Sequence, residues 1–238
     1  MPVDHTTLAP AGSIGVVWLD LDQPRDVVDA LALLLDDAEE QRVSRLAVLT
    51  ERHRAIVRLA RRRQVLADIL NTTTKDVEAL PGQDTPGAIT LHGDTLFVSA
   101  SHCDDVGLIA VTRERKVGVD VEAAHKLPDP DQFAQWVAAS EELHELNELA
   151  PADRTEACLR LWTRKEAYLK ATGVGIGDGL NHVRVPLQPE SWAHVFRPVP
   201  DGQSWLLFEL ASPRVGLNAS LVTEFHERID PRVIVTRR

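Results

Sequence analysis

Lys116–Glu122 reads KVGVDVE, and its alternation decides the fold. In an extended segment Val117, Val119 and Val121 share one face, and Gly118, Asp120 and Glu122 share the other. A period of two rich in β-branched residues predicts a half-buried β-strand. Residues i and i+2 on one face lie close together, so the Asp120 and Glu122 carboxylates repel. Two readings account for that pair: a solvated outer face, or a hard divalent cation held between the acids.

Upstream, Ser13–Leu21 reads as a first strand, followed by a helix over Asp26–Leu35. Asp36–Leu70 reads as mostly helical with a break. The turn-rich LPGQDTPG then leads into strands at Ala88–His102, hinged at His92-Gly93-Asp94, and at Val106–Thr112. Downstream come a helical, acidic stretch at Phe133–Leu149 and a helix from Pro151 to Thr172, left through the glycine-rich GVGIGDGL. Short strands follow at HVRVPL, WAHVF, SWLLFELA and GLNASLVTE; the tail HERIDPRVIVTRR fits no single pattern. Short connections favour antiparallel pairing. The expected class is α+β, two similar α/β halves at 1–116 and 117–238.

The chain has 238 residues, enough for one large domain or two small ones. Its start lacks the basic and apolar regions of a signal peptide, and no apolar run approaches membrane-spanning length. Two distant cysteines, Cys103 and Cys158, give neither a zinc motif nor a disulfide framework and suit a reducing cytoplasm. A net charge of −10 argues against nucleic-acid binding. Charge is uneven, however. Arg42 to Arg63 holds eight arginines and one acid, so that window carries +7 and the rest −17. An arginine cluster on an acidic body suggests an anion site, most simply for phosphate, or else a solvated helix face. Arg54, Arg58 and Arg61 form one stripe opposite Ile56, Leu59, Leu66 and Leu70. Arg63 falls on the apolar stripe and must be paired or reach into a site.

A second stretch, Leu161–Lys170, reads LWTRKEAYLK. On a helix Trp162, Glu166 and Lys170 share one face. Alone, Glu166 and Lys170 are an ordinary exposed ion pair and Trp162 a packing residue. Together with Asp120 and Glu122, Glu166 supplies a third carboxylate for Mg²⁺, and Lys170 can meet a phosphate or protonate a leaving group. Ser101 and His102, at the end of a strand, suit hydrogen bonding to phosphate oxygens. Neither a P-loop nor a GxGxxG motif opens a helix. The residues point to metal-dependent chemistry on a polyphosphate ester.

The strand VGVDVE, the helix LWTRKEAYLKATG and the upstream SASH, in this order and spacing, resemble the 4′-phosphopantetheinyl transferases of the large, surfactin-type group. The likeness spans roughly residues 13–225, the last third by pattern only. It implies a pseudo-twofold, monomeric fold and Mg²⁺-dependent transfer of 4′-phosphopantetheine from coenzyme A to a serine of an apo acyl or peptidyl carrier protein. It also implies site residues: Asp120, Glu122 and Glu166 for the metal; Glu166 and Lys170 for catalysis; Arg42, Arg45, Arg54, Ser101, His102, Lys165 and Lys170 for coenzyme A. The family's lysine-bearing turn is replaced by QDTPGAI, so Arg58 or Arg63 is expected to supply that phosphate contact, and Ala55 stands where some members carry a hydroxyl. Carrier docking is expected at GVGIGDGL and the helix exit, with Arg164 assisting. Two other classes stay open: a metal-dependent phosphohydrolase with the same carboxylates, and a non-catalytic scaffold for coenzyme A or carrier.

Overall fold

The computed structural model describes residues 9–77, 87–91, 94–127, 129–174, 180–187, 194–196, 203–225 and 232–238. In chain order the elements are β1 (Ser13–Asp20), α1 (Arg25–Ala32), α2 (Asp37–Ser44), α3 (Leu49–Leu70), β2 (Gly87–Leu91), β3 (Asp94–Cys103), β4 (Val106–Thr112) and β5 (Val117–Ala123). There follow α4 (Pro130–Val137), α5 (Ser140–Glu148), α6 (Pro151–Thr172), β6 (His194–Phe196), β7 (Trp205–Glu209), β8 (Leu217–Glu224) and β9 (Arg232–Arg237). The expected turn centre His92-Gly93, most of LPGQDTPG and most of GVGIGDGL lie outside the described residues.

The strands form two sheets, ordered β2-β3-β4-β1-β9 and β5-β8-β7-β6. Three apolar clusters stack them into four layers. Val57, Leu59 and Leu66 of α3 cover Val17, Leu19 and Val98 on one face of the first sheet. Ile14, Val16, Trp18 and Leu108 on its other face meet Val117, Val119, Val121 and Leu221 of the second. Leu161 and Ala167 of α6 cover Leu207 and Val222 on the far side. Each sheet with its helices is an α/β half, and the whole is α+β, as expected.

β5 is more enclosed than its alternation predicts. Its three valines are at most 2% exposed, a burial worth about 1.5–3 kcal/mol for each side chain. The opposite face carries α6 rather than solvent. Gly118 makes that possible: a Cβ there would sit 1.9 Å from the Ala167 carbonyl oxygen and 2.4 Å from the Ala171 nitrogen. Glycine admits the helix backbone onto the strand. β2 pairs only with residues 94–98 of β3. The Ser99 hydroxyl, beyond that pairing, accepts a hydrogen bond from the Val119 N–H of β5 at 3.1 Å. The second sheet thus meets the first at the end of β3 that carries Ser101 and His102.

Three elements differ from the sequence reading. The tail forms β9, which returns to the first sheet and runs parallel to β1, so that sheet includes residues from beyond 116. Helix 133–149 is two helices parted at Ala138, with α4 starting earlier on Pro130 and capped by the Asp129 carboxylate accepting from the Gln132 N–H. HVRVPL buries Val183, Val185 and Leu187 in strand-like alternation but joins no sheet; the Val185 N–H donates to the Glu142 carboxylate at 2.7 Å.

Candidate active site

α6 starts on Pro151 and stops at Gly173, whose φ of +74° is a left-handed cap. Between them Trp162, Glu166 and Lys170 line the helix edge that overhangs the carboxylate end of β5. Lys170 Nζ donates to Asp120 Oδ1 at 2.8 Å. Ser101 Oγ, from β3, donates to the same oxygen at 2.8 Å. Strand β3 of the first half, strand β5 of the second and helix α6 therefore meet at one buried carboxylate, 3% exposed.

Asp120 Oδ2 and Glu166 Oε1 are buried without a hydrogen-bond partner among the described residues. A buried, unpartnered carboxylate oxygen costs free energy of order 1–3 kcal/mol or more. Electrostatics agree that these acids crowd one another. Burial, and then the Asp120 charge, push the Glu166 carboxyl up to about 7, against the pull of Lys170. Burial, then Asp120, also raise Glu122, opposed by Lys126, by a hydrogen bond from Trp162 and by Lys170. The Trp162 indole, expected only to pack, stacks edge-on with Phe133 at 5.2 Å and also steadies Glu122.

The donor set suits a hard cation such as Mg²⁺: three carboxylates, two with orphaned oxygens, at a place where mutual repulsion has to be balanced. As they stand, no three His, Cys, Asp or Glu side chains among the described residues converge closely enough to hold an ion. Lys170 sits on Asp120 instead, so an ion could be held here only after these side chains rearrange.

The phosphate-binding expectations divide. Arg42 on α2 and Arg45 just after it are exposed. Arg54 is engaged by Asp22, at 2.6 and 2.9 Å, and by Glu51 at 3.3 Å, and Asp22 holds its guanidinium more firmly charged. Arg63 is no phosphate ligand. It is buried, bonds Asp36 and Glu39 (the capping box of α2), and donates to the Thr74 and Val77 carbonyls. His102 is exposed, its Nδ1 3.0 Å from Arg58 Nη1.

Two further expectations need correction. Lys165 does not reach coenzyme A: it is fully enclosed, donating to the Val137 carbonyl at 2.7 Å, the Leu180 carbonyl at 3.0 Å and the Glu142 carboxylate. One residue along a helix turns the side chain about 100°, so Lys165 faces the core while Glu166 faces the site. Arg164 is equally enclosed, bound to Glu209 and the Pro186 carbonyl, and offers nothing to a docking partner.

Comparison with known proteins places the chain. Residues 116–210 match the family model of the 4′-phosphopantetheinyl transferase superfamily. HetI, a 4′-phosphopantetheinyl transferase of Nostoc, is 29% identical over 82% of this chain and 81% of its own. The Synechocystis protein slr0495, provisionally named a 4′-phosphopantetheinyl transferase, is 29% identical over 70% of this chain and 68% of its own. A looser likeness links the chain to the crystal structure of Thermotoga maritima holo-[acyl-carrier-protein] synthase, at 17% identity and a TM-score of 0.30, over 46% of this chain and 62% of that one. The matched region takes in β5 and α6, the two elements that carry Asp120, Glu122, Glu166 and Lys170, and over this region and through these relatives the chain is similar to the 4′-phosphopantetheinyl transferase superfamily.

Proposed function

We propose that this protein transfers 4′-phosphopantetheine from coenzyme A to a serine hydroxyl of an apo acyl or peptidyl carrier protein, with Mg²⁺, and releases 3′,5′-ADP. The observation that carries the reading is the junction at Asp120, where Ser101, Lys170 and two orphaned carboxylate oxygens meet. Asp120, Glu122 and Glu166 would hold the magnesium ion, which when bound balances the charge of the pyrophosphate.

The chain's own residues supply the rest. The carrier serine oxygen forms a new bond to the phosphorus that bears the pantetheine arm, and the bond from that phosphorus to the ADP oxygen breaks. Glu166, buried and within one helix turn of Lys170, takes the serine proton. Lys170 neutralises the negative charge that passes to the departing 3′,5′-ADP. Ser101 fixes the Asp120 carboxylate, and His102 faces the phosphates. Both halves of the site lie in one chain, so a monomer suffices.

The test mixes protein, coenzyme A, Mg²⁺ and apo carrier, followed by intact mass. A carrier gain of one phosphopantetheine, matched by release of 3′,5′-ADP, is the expected result. Nucleotide breakdown with unmodified carrier would instead make the protein a phosphohydrolase, and binding without turnover a scaffold.

A further inference from the structure

A cavity of about 350 Å³ opens where β9 and the end of β1 meet the connection between β7 and β8. None of its lining residues belongs to the Asp120 site, and its volume is that of a small-molecule pocket. Trp18, Val106 and Pro213 give it an apolar floor, and Arg214, Arg237 and Arg238 give it a basic wall. The tail strand sets that wall: Arg237 is in register with Trp18, so the two side chains leave the sheet on one face. Ser212 pins the turn that presents Arg214, its hydroxyl donating to the Arg214 carbonyl at 2.8 Å and accepting from the Arg214 N–H at 3.1 Å.

The polar groups of the wall are unequal. Arg238 is held by Asp68 at 2.9 Å, and Arg214 by Asp105 at 2.6 Å with Asp20 3.7 Å away. Arg237 is exposed and has no ion-pair or hydrogen-bond partner among the described residues. Trp18 is 2% exposed, and its indole N–H meets no acceptor among the described residues. A buried donor without an acceptor is costly and calls for an explanation. An unengaged cation, an unmet donor and an apolar floor thus share one cavity.

We propose that this cavity binds a small organic carboxylate. One carboxylate oxygen takes the Arg237 guanidinium, the other accepts from the Trp18 N–H, and the apolar body of the ligand lies on Val106 and Pro213. A single unengaged guanidinium balances a single negative charge, and Asp20 on the same wall repels a dianion such as phosphate. This site stands apart from the transferase reading, and neither depends on the other.

The probe is benzoate, titrated into the full chain carrying nitrogen-15 in its tryptophan indoles. Trp18→Phe identifies the Trp18 signal among the five. In wild type that signal should shift saturably with benzoate. It should shift little with benzamide, which has the same shape and no charge, or with inorganic phosphate. Arg237→Gln, at an exposed position, should weaken benzoate about tenfold or more, as expected for a lost charged hydrogen bond, and Arg237→Lys should recover part of the affinity. Saturating coenzyme A should leave benzoate affinity unchanged. A Trp18 signal that does not respond overturns the proposal, as does benzamide or phosphate binding as tightly as benzoate, or unaltered affinity in Arg237→Gln. Displacement of benzoate by coenzyme A overturns it too, because the cavity would then belong to the substrate cleft.

Discussion

Replacing Glu166 by Gln should stabilise the metal-free protein, by an amount that grows with pH. The Glu166 carboxyl titrates at about 7 in the folded chain, against an ordinary 4.5. That difference corresponds to roughly 3 kcal/mol. Because the folded value is raised, its contribution to stability is fully present below about pH 4.5 and is lost as pH rises through about 7. Glutamine imitates the protonated acid at every pH. Wild type and Glu166→Gln should therefore melt together near pH 4.5. By pH 8 the variant should melt higher by roughly 6–12 °C, at about 2–4 °C for each kcal/mol in a chain of this size. Thermal melts in chelator, at intervals from pH 4.5 to 8, measure the gap. Adding Mg²⁺ at pH 8 should raise wild type more than the variant, narrowing or reversing it. A gap that stayed constant with pH would refute the reasoning, because a packing difference does not titrate.

Five other substitutions probe the same frame. Gly118→Ala puts a methyl group against the Ala167 and Ala171 backbone, at 1.9 and 2.4 Å from atoms that cannot step aside; α6 must move with Glu166 and Lys170, and kcat/KM should fall by roughly a hundredfold or more, a steady-state assay near wild-type rate being the contrary result. Lys165→Met leaves the buried Glu142 carboxylate without its counter-charge, held only by the Ala139 and Val185 N–H groups, which costs about 3–5 kcal/mol; calorimetry should show a fall in Tm of roughly 10 °C or more with KM for coenzyme A unchanged, and a raised KM at normal Tm would restore Lys165 to the substrate. Arg42→Ala and Arg45→Ala, at exposed positions, should each raise KM for coenzyme A more than for dephospho-coenzyme A. Arg54→Ala should do so less, since Asp22 and Glu51 already hold that guanidinium; equal effects on both substrates would remove Arg42 and Arg45 from the 3′-phosphate.

The site was legible where local periodicity and chemistry coincide. Strand β5 and helix α6 each display their polar residues at one regular spacing, so Asp120 and Glu122, and Glu166 and Lys170, could be read as paired faces. What periodicity could not supply is which face of α6 meets which partner. Lys165 stands one position from Glu166 and looks equally basic and equally available in the sequence. Its partner Glu142 lies 23 residues away on α5, and nothing local predicts that meeting. Arg63 shows the opposite case: an arginine on an apolar stripe has to be paired or reach a site, but only the fold shows that Asp36 and Glu39 take it. β9 escaped because its parallel partner is β1, at the other end of the chain, and a parallel edge strand carries no hairpin signal.

The same reasoning explains why a strand tolerates two acids on a face that is not solvated. The face opposite the valines is covered by α6, which buries Asp120 and half-buries Glu122, so the two acids cannot shed their repulsion fully into water. Gly118 brings the helix close, and closeness sets the cost: it buries Asp120, lifts Glu166 toward neutrality and lets Lys170 reach Asp120 at 2.8 Å. Were the helix held further out by an ordinary side chain, the acids would be hydrated and the lysine would not be needed. The glycine and the three carboxylates are therefore one device. Tight packing by the first creates an unbalanced negative charge in the second, and that charge is what a cation and a polyphosphate substrate can relieve.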